Sequence, residues 1–261
     1  MHEAIPPVGL AFWRWAAATV LVLPFVGSAM LRAWPLLRAN LARMTVLALL
    51  GVTGFNTLVY TGLQSTTATN SVLIQSTMPI QILVLNVLLF RTAFQARELL
   101  SVLLSLVGVA LIVGAGRPLA LVSGQWNQGD LWVLTAALTW AAYSVLLRWR
   151  PAELDPNAFL GFTLLVGWLA LLPLYGLEAW LVRPVEWTLP VALTVAYVAV
   201  FPSVLAYLFW NRGVAAIGAN AAGHFIHLMP VFGTVLAVLF LGESLRWYHG
   251  AGALLVAAGL V

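Results

Sequence analysis

The 261-residue chain has no cysteine and no lysine; its 12 basic residues are all arginine, and only 8 residues are acidic. Without cysteine there is no disulfide, no thiolate metal site and no cysteine nucleophile. Charged residues are 8% of the chain, against roughly 25% in soluble globular proteins. So few charges cannot cover the outside of a soluble domain. Phosphate-binding loops, GxSxG, HExxH and paired catalytic carboxylates are missing as well. The net charge of +4 is spread as single or paired arginines between apolar runs, which is no footprint for nucleic acid.

What is present is apolar. Hydrophobic residues are 62% of the chain and mean hydropathy is +1.00, which rules out disorder. The apolar runs repeatedly approach twenty residues, the length of a membrane-crossing helix. The fold class predicted is therefore an all-α integral membrane protein with the lipid bilayer as a partner, not a barrel of short alternating strands. Nine spans are read at about 7–30, 42–63, 68–90, 96–114, 129–149, 157–181, 188–211, 217–241 and 245–261. No cleavable leader is visible: residues 1–7 carry no basic residue and Arg14 interrupts the next run.

Arginine placement orients the chain. When connectors are assigned alternately to two sides, Arg32, Arg38, Arg43, Arg91, Arg97, Arg148, Arg150 and Arg212 fall together, and Arg117, Arg183 and Arg246 fall opposite. The richer side is predicted to be cytoplasmic, which places Val261 inside. Glu3, Asp130, Glu178, Glu186 and Glu243 lie near the poorer side.

A repeat appears when the chain is slid by 151 residues. Met78-Pro79 falls on Met229-Pro230, Gly62 on Gly213 and Gly108 on Gly259, and 11 of 55 positions match between 56–110 and 207–261. The two copies have opposite orientation, an arrangement common in secondary transporters. The expected organisation is a first repeat at 1–115 and a second at 128–261. The second half has five spans and the first only four, so ten helices are expected in the full molecule, with nine visible and the first missing.

Polar groups inside spans mark candidate sites. Arg14 sits between Trp13 and Trp15 and can snorkel, pair across the bundle, or bind an anionic solute group. Asn56, Tyr60 and Gln64 share one helical stripe, and their repeat partners are Tyr207, Asn211 and Ala215. Such groups serve either as hydrogen-bonding glue or as a cavity wall. Ser71, Gln75 and Met78 form another stripe, and Asn220, His224 and His227 a third, close to the candidate hinge prolines Pro79 and Pro230. The two histidines supply too few ligands for a metal site, and no cofactor is expected. Trp140, Tyr143, Trp168 and Trp210 are deep aromatics that either pack or stack on a solute. Trp34, Trp126, Trp180, Trp187 and Trp247 are read as interfacial belt residues. Every acid lies near a span end, so carboxylate-based proton or sodium coupling has little support.

Several segments now carry a resemblance: PPVGLAFWRWAAA, NTLVYTGLQSTTATNSVLIQSTMPI, GDLWVLTAALTWAAYSVLLR, and AYLFWNRGVAAIGANAAGHFIHLMPVFGTVLAVLFLGESL. In this order they resemble the EamA-type exporters of the drug/metabolite transporter superfamily, over nearly the whole chain. The resemblance implies ten helices in two inverted five-helix halves with cytoplasmic termini, and a bacterial inner-membrane location. Thr92 stands where the other half has Glu243, so only one copy keeps the family pattern. In aromatic content the chain is most similar to the branch exporting aromatic amino acids. The expectation is a monomeric secondary transporter, not an enzyme, exporting a small-molecule solute such as an aromatic or other neutral amino acid by alternating access. Uniport and proton antiport both stand open. The alternatives are a transporter of another metabolite, or a multispan enzyme using its histidines.

Overall fold

The computed structural model describes residues 5–93, 95–118, 127–242 and 244–260. Glu3, Trp126 and Glu243 lie outside them. Among the described residues, seven helical stretches are long and apolar enough to cross a membrane. Six are α1 (Pro7–Arg32), α2 (Leu41–Gly62), α3 (Ala68–Phe90), α4 (Ala96–Val113), α5 (Gln128–Trp149) and α6 (Pro156–Leu181). The seventh, Leu189–Phe240, has 52 residues. At 1.5 Å per residue it would be about 78 Å long, more than twice a 30 Å hydrocarbon core. It breaks at Gly218, where φ is 83° and ψ is 162°, a conformation that glycine alone adopts readily. The two crossings are α7 (189–217) and α8 (219–241). The connector expected at 212–216 is thus helical, and the break is a single residue. α9 (Trp247–Leu260) completes the set.

Local chemistry sets the helix starts. Pro7 and Pro156 stand in the first turns of α1 and α6, where a missing N–H costs nothing. Asn127 and Asp130 form a reciprocal capping box at α5, and Thr67 and Thr188 accept from Asn70 N and Val191 N at α3 and α7. α1 packs along α6, α4 along α9, and α5 between α2 and α3. The core between them includes Trp15, Leu47, Val52, Ile82, Ala137, Phe159 and Leu171. Phe25, Leu88, Trp180, Phe209 and Phe240 are exposed on the outside, as a lipid-facing surface requires.

The 151-residue offset recurs in the backbone. Widened π-type turns occupy Leu49–Gly54 in α2 and Val200–Leu205 in α7. Thirteen-residue segments begin at Met78 and Met229 with proline in their first turn. They end on left-handed residues, Arg91 at φ 52° and Gly242 at φ 69°. Some repeat partners also touch each other. Asn56 Nδ2 donates to Tyr207 OH at 3.1 Å, and His227 Nε2 lies 2.8 Å from the Ser76 carbonyl. Under two-fold symmetry, a residue meets its own partner only beside the axis. The α4–α9 seam obeys the same rule. A Cβ on Gly108 would come within 2.6 Å of Gly252 O, and one on Gly259 within 2.5 Å of Ser101 O. Those two contacts are images of one another. The fold is an all-α membrane bundle with an internal inverted repeat.

Candidate functional site

Arg14 projects from α1 into the bundle and is 2% exposed. Its Nε donates to Ser203 Oγ at 2.7 Å, Nη1 to Asn56 Oδ1 at 2.8 Å and to Tyr60 OH, and Nη2 to the Pro202 carbonyl at 2.9 Å. Trp15 and Tyr60 present ring faces to the guanidinium, at 4.8 and 5.8 Å from their centroids. Among the described residues no carboxylate pairs with it, and all four acceptors are neutral.

The π-type turns explain why those acceptors are there. Pro202 has no N–H for the Val198 carbonyl; Ser203 Oγ donates to that carbonyl at 2.6 Å instead, and in turn accepts from Arg14. In α2 the Gly51 carbonyl accepts from Tyr207 OH. Gly51 and Pro202 are repeat partners. Each turn therefore offers an equivalent carbonyl to a side-chain donor from another helix. The interhelical network runs Arg14, Asn56, Tyr207, Gly51 across the pseudo-two-fold axis.

Behind it lies an aromatic cluster. Trp140 is 4.8 Å from Phe55, 5.3 Å from Tyr143, 5.2 Å from Tyr207 and 5.3 Å from Trp210, centroid to centroid. Its polar edge faces a cavity: Tyr143 OH donates to Asn211 Oδ1 at 2.7 Å, and Trp210 Nε1 to Ser144 Oγ at 3.2 Å. Asn211 and Ser144 line a cavity of about 590 Å³, which reaches exposed Arg148 at the end of α5. That volume is within the roughly 300–1,000 Å³ of small-molecule sites.

The structure groups the residues singled out by sequence. Arg14, Asn56, Tyr60 and Tyr207 form the axial network; Trp140, Tyr143, Trp210 and Asn211 form the aromatic floor. Of these eight only Asn211 lines the 590 Å³ cavity, where it is joined by Ala215 and by Asn220 of the third polar stripe. Trp168 lies elsewhere, 6.0 Å from Phe12 on the α1–α6 seam. Gln75 Nε2 donates within its own helix to Ser71 Oγ at 3.0 Å. His227 is fully buried beside Ser76, and His224 Nε2 is buried without a partner among the described residues. Pro79 and Pro230 each follow an interruption of the helix, at Ser76–Thr77 and Phe225–Leu228. Among the described residues no cluster of three histidines or acids is placed to hold a metal. Sequence reasoning passed over Ser203, Ser144, Arg148 and Arg150. The Pro202-Ser203 pair inside a span was a usable signal for a freed carbonyl. The two arginines looked like topology signals only.

Known proteins agree with this architecture. The chain is similar to the uncharacterized transporter YyaM of Bacillus subtilis, 28% identical over 260 residues that cover 98% of this chain and 83% of that one. An uncharacterized transporter of Archaeoglobus fulgidus is 26% identical, covering 99% and 88%. The uncharacterized transporter YetK of Bacillus subtilis is 28% identical, covering 100% and 79%. A solved crystal structure shares the fold at a TM-score of 0.76 and 19% identity, covering 99% of this chain and 87% of that one. These relatives are named as transporters, not enzymes. The EamA-like transporter family matches residues 1–114 and 127–261, and the chain belongs to that family.

Proposed function

We propose that this membrane transporter exports small neutral metabolites, aromatic or other neutral amino acids, by alternating access. Solute enters from the arginine-rich side, taken as the cytoplasm of a bacterial cell, and crosses the inner membrane. One observation carries the reading: Ser144 and Asn211 line the cavity on that side, and both are bonded to the aromatic cluster. The lining thus offers polar groups, Ser144, Asn211 and Asn220, beside apolar ones such as Val145, Val214 and Ile217, the pairing that an amphiphilic amino acid requires. From the floor, contacts pass through Tyr207 to the Arg14 network on the axis. The recurrences at 151 residues support the division into repeats at 1–115 and 128–261, with Pro79 and Pro230 as hinges. The proposed unit of transport is the monomer. The acids among the described residues stand at helix ends or in connectors, which favours facilitated export over carboxylate-driven antiport.

The test is efflux from liposomes carrying the purified protein, loaded with labelled tryptophan, phenylalanine, threonine and a sugar. Efflux of the amino acids but not the sugar, indifferent to an imposed pH gradient, is expected. Retention of all three amino acids by correctly folded protein refutes the amino acid assignment and leaves another metabolite as the cargo.

A further inference from the structure

Three features of the 590 Å³ cavity have no part in the axial network: Arg148, Arg150 and Glu98 in its lining. Each arginine lies against a ring. The Arg148 guanidinium is 4.4 Å from the Phe90 centroid and that of Arg150 is 5.7 Å from Phe159. Stacking holds a guanidinium plane while leaving the N–H donors on its edge available. Neither side chain has a hydrogen bond or a carboxylate partner among the described residues. Glu98 is partly engaged: its Oε2 accepts from Gln95 N at 3.2 Å, in the capping box of α4. Two cations and one anion leave the lining with one uncompensated positive charge. Thr92 adds a buried hydroxyl with no partner among the described residues, in the same lining.

Two arginines that serve only to orient the chain need only be on the correct side of the membrane. They need not be steadied over rings in the wall of a cavity whose lining residues Ser144 and Asn211 are bonded to the aromatic cluster. The geometry points to a loading site at the cavity mouth, where Arg148 and Arg150 take the carboxylate of the incoming solute before its apolar part reaches Trp140 and Trp210. Planar guanidinium forks suit a planar carboxylate, and the single surplus charge suits a monocarboxylate. A solute that also carries an ammonium group finds Glu98 in the same wall. This site rests on the reading of the protein as an exporter that loads from the arginine-rich side, and it names the group by which cargo is selected there.

The experiment is equilibrium binding to the purified protein in detergent. The probes are phenylalanine, 3-phenylpropionate, which lacks the amine, and phenethylamine, which lacks the carboxylate; benzoate, lactate and succinate form a non-aromatic-amino-acid panel. Arg148→Gln and Arg150→Gln are expected to weaken phenylalanine and 3-phenylpropionate about tenfold each and not to weaken phenethylamine, which is itself a cation. Arg148→Lys and Arg150→Lys keep the orienting charge, so they guard against misinsertion; they are expected to weaken the two carboxylates about threefold. Unchanged carboxylate binding in all four variants overturns the site while leaving amino acid export intact. Absence of phenylalanine binding, with a panel carboxylate bound and weakened by the glutamine variants, supports the site and refutes the amino acid reading. If no carboxylate binds the wild-type protein, the site is refuted.

Discussion

Arg14 combines a large desolvation cost with four good hydrogen bonds. Burying a cation costs several kcal/mol even after relaxation, and its bonds go to a serine, an asparagine, a tyrosine and a backbone carbonyl, with no anion among them. Replacing it by methionine removes that cost but orphans the Asn56 oxygen and the Pro202 carbonyl, at about 1–3 kcal/mol each. The two effects are of similar size. Arg14→Met is therefore expected to shift the melting temperature by no more than about 5 °C, while efflux falls more than about tenfold. A large stability loss with efflux intact would make Arg14 purely structural. Arg14→Lys keeps the charge, but one ammonium cannot reach acceptors on both α2 and α7, so it is expected to melt lower than Arg14→Met. Tyr207→Phe leaves the Gly51 carbonyl without its donor; a loss of about 1–3 kcal/mol is expected from unfolding in detergent.

The α4–α9 seam and the π-type turns act as whole elements. Small residues let α4 and α9 approach backbone to backbone, because lipid provides no hydrophobic drive for helix association and close packing has to supply the attraction. Gly108→Val is expected to push the helices apart at a cost of about 1–3 kcal/mol, since its Cβ already meets Gly252 O at 2.6 Å. A methyl group on Gly213 of α7 would meet nothing within 4 Å. Gly213→Ala is therefore expected to stabilise by about 0.5–1 kcal/mol through helix propensity. Thermal melts of the two variants side by side check both; equal effects would refute the seam argument. The π-type turns in α2 and α7 free carbonyls that an ordinary helix would occupy, and those carbonyls anchor the axial network.

At the scale of the whole molecule, the chain presents its cavity toward one membrane face. With no cysteine in the sequence, a single introduced thiol reports which face that is. A thiol from Ala215→Cys, in the cavity lining, is expected to react with an impermeant maleimide only from the cytoplasmic side. One from Glu186→Cys, exposed in the connector before α7, is expected to react only from outside. Saturating solute should slow labelling at position 215 and leave position 186 unchanged. Labelling at both positions from the same side would overturn the orientation derived from the arginines.

The number and extent of the spans were legible in the sequence. A helix in lipid satisfies its own backbone, so apolar length reads directly as a crossing; α3 matches its expected limits of 68 and 90. The inverted repeat was legible too, because both copies keep Met-Pro at the same place. The break at Gly218 was not: its signal is one glycine inside a long apolar run. Nor was the company of each polar residue. Arg14 meets Ser203, 189 residues away, and Asn56 meets Tyr207 because both lie beside the axis. Arg148 and Arg150 read as charges outside the membrane until Phe90 and Phe159 were seen beneath them. Apolar length along the chain determined the crossings, and charge bias sets the orientation expected of them. The packing of helices against one another decided which polar groups share a cavity, because that proximity comes from helix faces distant in sequence and no local pattern encodes it.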